Sequence, residues 1–135
     1  ARETGLVVID APPGTSCPVI ESVRDSDYVL LVTESTPFGL HDLKLAVEMV
    51  RALGLPFGVV INRADGSASD THAWCGHERI PILAEIPDDR RVAEAYSRGD
   101  MICVALPEYG RMFSDLMDRI EGSARDAGDH RRPVT

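Results

Sequence analysis

Lysine is almost missing from this chain. Of 135 residues only Lys44 carries an ε-amino group, and Leu45 follows it. A phosphate-cradling loop of the Gly-Lys-Ser/Thr kind puts its charge on the phosphates through that lysine, so no such loop can be built from these residues. Cysteine is scarce too. Cys17, Cys75 and Cys103 stand far apart with no C-x-x-C, which excludes a zinc ribbon or a ferredoxin-type cluster made by this chain alone. They read as free and mostly buried thiols in a reducing compartment. No apolar run approaches the roughly 18 residues that a membrane span needs. No signal-like segment stands at Ala1, and the chain reads as cytoplasmic. The net charge of −8 argues against a broad nucleic-acid surface.

What is present is ordinary for one globular domain: 135 residues with 44% hydrophobic content. The stretch that organises it is Gly5 to Thr15, GLVVIDAPPGT. Leu6, Val7, Val8 and Ile9 read as a strand buried on both faces, with Asp10 at its carboxyl end. Open parallel sheets bind ligands at that end. Pro12 and Pro13 stiffen the loop that follows, and Gly14 lets the backbone approach a ligand. A carboxylate can hold Mg²⁺ through water, and a glycine amide can face a terminal phosphate. Equally, a strand that ends in Asp can be no more than a capped turn.

These residues resemble the Walker B and switch II segment, D-x-P-P-G-T, of the MinD/ParA/Mrp-type P-loop ATPases. The resemblance continues in order through Ser16-Cys17-Pro18, Val32 to Pro37, Gly39 to Leu43, Val60 to Asp65 and Ala84 to Asp89, and covers roughly residues 5 to 106. The Cys-Pro pair and the T-E-S-T-P-x-G-L-H-D run look most like the subgroup with an inserted ferredoxin-type domain. That subgroup belongs to the cobyrinic acid a,c-diamide synthase (CobQ/CobB/MinD/ParA) superfamily. In the family the P-loop lies upstream, so the resemblance implies that residues 1–123 are the C-terminal portion of an ATPase domain, followed by a flexible tail over 124–135. It implies ATP and Mg²⁺ as cofactors of the parent protein, an upstream iron-sulfur cluster, a homodimer and a client protein. Asp10 would hold Mg²⁺ through water, and Gly14 and Thr15 would sense the terminal phosphate. Asn62 and Arg63, with the loop at Pro87 and Asp88, would hold the base. Three functions follow: an ATPase linked to iron-sulfur or metal-centre maturation, an ATP-dependent amidating enzyme of the cobyrinate type, or an interaction domain with a vestigial nucleotide site.

The rest of the chain alternates strands and helices. A short helix follows Pro18, with Cys17 at its start, either a buried thiol or a reactive one. Tyr28 to Thr33 and Phe57 to Ile61 read as buried strands. Between them a helix from Phe38 or Gly39 to Leu53 carries an apolar stripe at Leu40, Leu43, Val47, Val50 and Leu53. Taken alone, Asn62 can stabilise the turn after its strand, or offer one acceptor and two donors to a base edge. His72, Cys75 and His77 fit no established metal spacing, and Trp74 reads as a packing residue. Ile80 to Ile86 is a fourth strand. Asp88 then caps a helix over Arg90 to Arg98 whose Val92, Ala93 and Tyr96 face inward. Met101 to Val104 reads as an edge strand or an extended run. A last helix runs from Glu108 to about Gly122, with Met112, Phe113, Leu116, Met117 and Ile120 on its apolar side.

The expected fold is therefore α/β: a parallel sheet of about four to five strands with helices on both faces, a partial P-loop NTPase fold lacking the P-loop strand. In the family that strand lies between Leu6–Ile9 and Tyr28–Thr33. Its absence leaves two ladders unpaired. Either the two strands close together, or another chain fills the gap or pairs the exposed edge.

Overall fold

The computed structural model describes residues 5–130. Three strands, β1 (Val29–Glu34), β2 (Phe57–Ala64) and β3 (Ile82–Pro87), form a parallel sheet in the order β1-β2-β3. Helices α1 (Cys17–Val23), α2 (Pro37–Ala52), α3 (Ser69–His77), α4 (Arg90–Ser97), α5 (Ile102–Ala105) and α6 (Pro107–His130) complete the chain. Alternation along β2 shows why helices lie on both sides. Val59 and Ile61 pack with Leu43 and Val47 of α2 and Cys75 of α3. Val60 faces the other way, toward Leu83 and Leu116, with Phe113 and Ile120 of α6. A strand buried on both faces reads as an unbroken apolar run, which is what Phe57 to Ile61 is.

Local chemistry sets the helix ends. Thr36 caps α2, its hydroxyl accepting from the Gly39 amide at 2.9 Å, and Pro37 opens the helix. Gly39 lies so close to the end of β1 that a Cβ there would stand 2.4 Å from the Glu34 carbonyl oxygen. The stripe on α2 buries Leu43, Val47 and Val50 as its spacing requires.

Several expectations are corrected. Leu6 to Ile9 form no strand: they pair with nothing among the described residues and are between 57% and 80% exposed. A strand needs a neighbour's ladder, and none is in reach. The run therefore does not close onto β1, and the sheet has three strands instead of four or five. Met101 to Val104 is not extended: the segment closes a short helix, α5, with local bonds such as Ala105 N–H to Met101 O at 2.9 Å. On α4 the buried residue is Ala95, while Tyr96 is 85% exposed and Ala93 is exposed. Asp89, not Asp88, caps that helix. Its carboxylate accepts from the Arg91 amide at 2.9 Å, while the Asp88 amide is held to the Ala64 carbonyl as a continuation of the β2–β3 ladder. Helix α6 passes Gly122 and runs to His130, so 124–130 is helical; 131–135 lie outside the described residues.

The thiols differ from expectation as well. Cys75 is buried, but Cys17 and Cys103 are exposed. Only Val19 of α1 is buried, so that helix touches the body along one narrow line and leaves Cys17 outside. Trp74 packs against the core from its rim, with the Lys44 ammonium 5.7 Å from the ring centroid.

Candidate functional site at the strand carboxyl ends

The three strands run parallel, so their carboxyl ends share one rim. Register places Glu34 opposite Asn62 and Ala64 opposite Pro87. Between Ile61 and Ala64 the β2–β3 ladder slips, and Arg63 sits at φ 51°, an uncommon conformation for a residue with a side chain. The irregularity turns Arg63 out of the sheet. Its guanidinium lies between two carboxylates, Nη1 3.8 Å from Glu34 and Nε 3.5 Å from Asp88. Arg63 thus bridges the ends of all three strands. Its backbone amide donates to Asn62 Oδ1 at 3.0 Å, which fixes the orientation of that side-chain amide.

The loops behind the rim are tied down. Asp65 Oδ1 accepts from the Ser67 amide at 2.9 Å, and the Ser67 hydroxyl lies 2.5 Å from the same oxygen and 3.0 Å from the Ser35 carbonyl. These Ser67 donors hold the Asp65 carboxyl below its ordinary range. The loops after β1 and β2 are joined in this way. Thr33 is buried and its hydroxyl donates to the Gly39 carbonyl at 2.9 Å, fastening β1 to the first turn of α2.

Asp89 anchors the other side. Its carboxylate takes a 2.7 Å contact from Arg91 and a 2.9 Å hydrogen bond from the hydroxyl of Tyr109, a residue only 1% exposed. Arg91 also reaches Glu108 at 2.9 Å. The Arg91 hydrogen bonds, helped by the Arg91 amide and Tyr109, pull the Asp89 carboxyl down to about 2. The loop at Pro87 and Asp88 is thereby held between β2 and α6.

The site residues expected from sequence fall into two groups. Asn62, Arg63, Pro87 and Asp88 meet at the rim. Asp10, Gly14 and Thr15 lie on the exposed stretch before α1, and among the described residues no hydrogen bond or ion pair joins Asp10 to anything. Gly14 adopts φ 98°, which a glycine tolerates without strain. Glu34 and Tyr109 also reach this region, through Arg63 and Asp89. A lone Glu at a strand end and a Tyr in the first turn of a helix carry no spacing signal. His72 turns to Glu85, His77 to Glu78, and Cys75 into the core. Among the described residues no group of three or more His, Cys, Asp or Glu side chains is arranged to hold a metal. A separate cleft of about 740 Å³ lies between β3 and α6, floored by Leu83 and Leu116 and rimmed by Glu85, Arg111 and Asp115; it includes none of the rim residues.

No protein-family model matches the chain. It is 36% identical over 121 residues to the uncharacterized protein MJ0579 of Methanocaldococcus jannaschii, covering 90% of this chain and 39% of that protein. It is 25% identical to the iron-sulfur cluster carrier protein of the same organism, covering 89% of this chain and 48% of that one. The chain therefore spans less than half the length of these curated relatives. Among solved structures it resembles the Pyrococcus furiosus cell division ATPase MinD, with a TM-score of 0.67 and 26% identity over 84% of this chain and 50% of that one. Among the described residues, no helix is long and apolar enough to cross a membrane. Sheet and relatives agree: this chain is related to the MinD/ParA-type P-loop ATPases.

Proposed function

We propose that this chain is the base-binding half of an ATP-binding and ATP-hydrolysing protein of the MinD/ParA type, with the P-loop in a preceding segment of the same protein. The observation that carries the reading is the convergence of Asn62, Arg63 and Asp88 at the carboxyl ends of a MinD-like parallel sheet. Adenine would lie against Asn62, flanked by Arg63 and the backbone at Pro87 and Asp88. The donor set suits magnesium as well. Asp10 is an exposed carboxylate with no internal partner among the described residues, and Mg²⁺ takes such a ligand through its retained waters. Bound there, the ion would neutralise charge on the phosphates, with Gly14 and Thr15 beside the terminal one. A P-loop strand from that segment would pair the open edge of β1. The loss of the γ-phosphate would then be felt by the stretch from Asp10 to Thr15, the usual logic of a nucleotide switch. Chemistry of this kind depends on positioning and charge, so these 135 residues alone are inactive.

The pathway belongs with the relatives. An iron-sulfur cluster carrier and a cytosolic Fe-S cluster assembly factor Nubp1 homolog of Drosophila grimshawi share the fold-bearing region. We place this protein in iron-sulfur or metal-centre maturation, acting as a homodimer on a client protein. The test is calorimetric titration of the full-length protein with ATP and Mg²⁺, alongside its hydrolysis rate. Wild-type protein binds and hydrolyses. Asn62→Ala weakens binding by roughly 5- to 150-fold, the cost of losing a bidentate base contact. Asp10→Ala abolishes Mg²⁺-dependent hydrolysis while leaving the base contact. Unchanged affinity in the first variant, or full activity in the second, contradicts the assignment.

A further inference from the structure

We infer that the open edge of β3 takes up an extended segment of a partner protein as an added strand, selected by alternating acidic and basic side chains. The surface is separate from the rim, and the inference does not rest on the nucleotide site. It begins with topology. β3 stands last in the order β1-β2-β3 and pairs with β2 alone among the described residues. An edge strand presents a row of backbone donors and acceptors to which another chain can pair. Ile82 to Glu85 of this edge line the cleft of about 740 Å³, and α6 forms its opposite wall. Two hydrogen bonds fix α6 against the strand. Beyond the carboxyl end of β3, the Tyr109 hydroxyl donates to Asp89 at 2.9 Å. Further back, Arg119 Nη1 donates to the Leu83 carbonyl at 2.8 Å, where the slipped ladder leaves Leu83 without a partner in β2. Helix and strand therefore run side by side in opposite directions. The floor between them is apolar: Leu83 and Leu116 are buried and Met112 is partly buried.

The α6 wall supplies the selectivity. Other charges around the cleft are already matched, Glu85 by His72 and Glu108 by Arg91 at 2.9 Å. What remains lies on one line of α6: Arg111, Asp115 and Arg119. Arg111 and Asp115 are exposed, and neither enters a hydrogen bond or close ion pair among the described residues. Arg119 spends one donor on Leu83 and keeps the others. Four residues of helix rise about 6 Å, so these charges stand about 6 and 12 Å apart along the axis. Alternate residues of a strand stand about 6.6 Å apart on one face, and the next alternate lies at about 13 Å. The two repeats agree to within about 1 Å over this span. A segment with acid, base and acid at alternate positions thus sets each charge opposite its complement while its backbone pairs with β3.

The experiment is fluorescence anisotropy of the full-length protein with a labelled peptide, S-T-E-V-K-V-E-T-S, and its charge-reversed form, S-T-K-V-E-V-K-T-S. The first binds saturably, and the second binds more weakly by about threefold or more. Two further peptides keep the first sequence and carry N-methyl groups on one or the other set of alternate residues. Methylation of one set removes binding and methylation of the other spares it, because only one set turns its amides to the edge. Asp115→Arg weakens the first peptide by about threefold or more, and a peptide with E-V-E-V-E at its centre regains the loss. Asp115 is exposed, so this exchange leaves the fold in place, which circular dichroism checks. Absence of saturable binding by the first peptide up to millimolar concentration would overturn the inference. So would indifference to charge reversal or to both methylations. Self-association of the wild type that Asp115→Arg abolishes would assign the edge to a second copy and overturn it as well.

Discussion

Asp89 stands one residue beyond the rim, and its carboxylate gathers the Arg91 side chain, the Arg91 amide and the Tyr109 hydroxyl. Those donors lower its pKa from 3.8 to about 2. Between these values the unfolded chain binds a proton that the folded chain does not, so stability rises with pH there. The contribution is fully present above about pH 4 and is lost as pH falls through about 2. Acid titration of the folded state, followed by circular dichroism, should show Asp89→Asn less sensitive than wild type between those limits. A second residue-scale test concerns Gly58. A Cβ there would lie 2.6 Å from the Tyr28 hydroxyl and 2.8 Å from Leu83 Cδ1. Gly58→Ala should cost about 1–3 kcal/mol in chemical denaturation, the usual penalty for overfilling a packed interior. At this scale the sequence was partly legible. Asn62, Arg63 and Asp88 come together at the strand carboxyl ends. Adjacent aspartates at 88 and 89 give no sign of which one the backbone ladder will claim.

The elements divide along the same line. Strand β2 and helix α2 follow their apolar patterns to within a few residues, since each buries the face that its spacing defines; β1, read as a buried strand, lies at the sheet edge with Val32 62% exposed. Leu6 to Ile9 has a strand-like composition and still forms none, because composition speaks for burial and not for the neighbour that must supply it. Met101 to Val104 is too short for its period to separate strand from helix, and its local turn decides the outcome. Two substitutions measure the contrast. Leu43 is 3% exposed in the main core, so Leu43→Ala should cost roughly 2–5 kcal/mol. Val8 is 78% exposed, so Val8→Thr in this chain should change unfolding free energy by no more than about 0.5 kcal/mol. A large effect at Val8 would mean that the segment is packed after all.

Across the whole molecule, three parallel strands aim their carboxyl ends at one rim, while Asp10 to Thr15 lies on the exposed stretch before α1. With Lys44 as the only lysine and no P-loop around it, the isolated chain should show no tight ATP binding; micromolar affinity would contradict the role given to a P-loop lysine elsewhere in the protein. The central claim is that the rim holds the base. It is tested most directly by photocrosslinking 8-azido-ATP to the full-length protein and mapping the modified peptide by mass spectrometry. The account predicts label on residues 62–65 or 87–90, competed away by unlabelled nucleotide. Competable label confined to the cleft between β3 and α6 would contradict it.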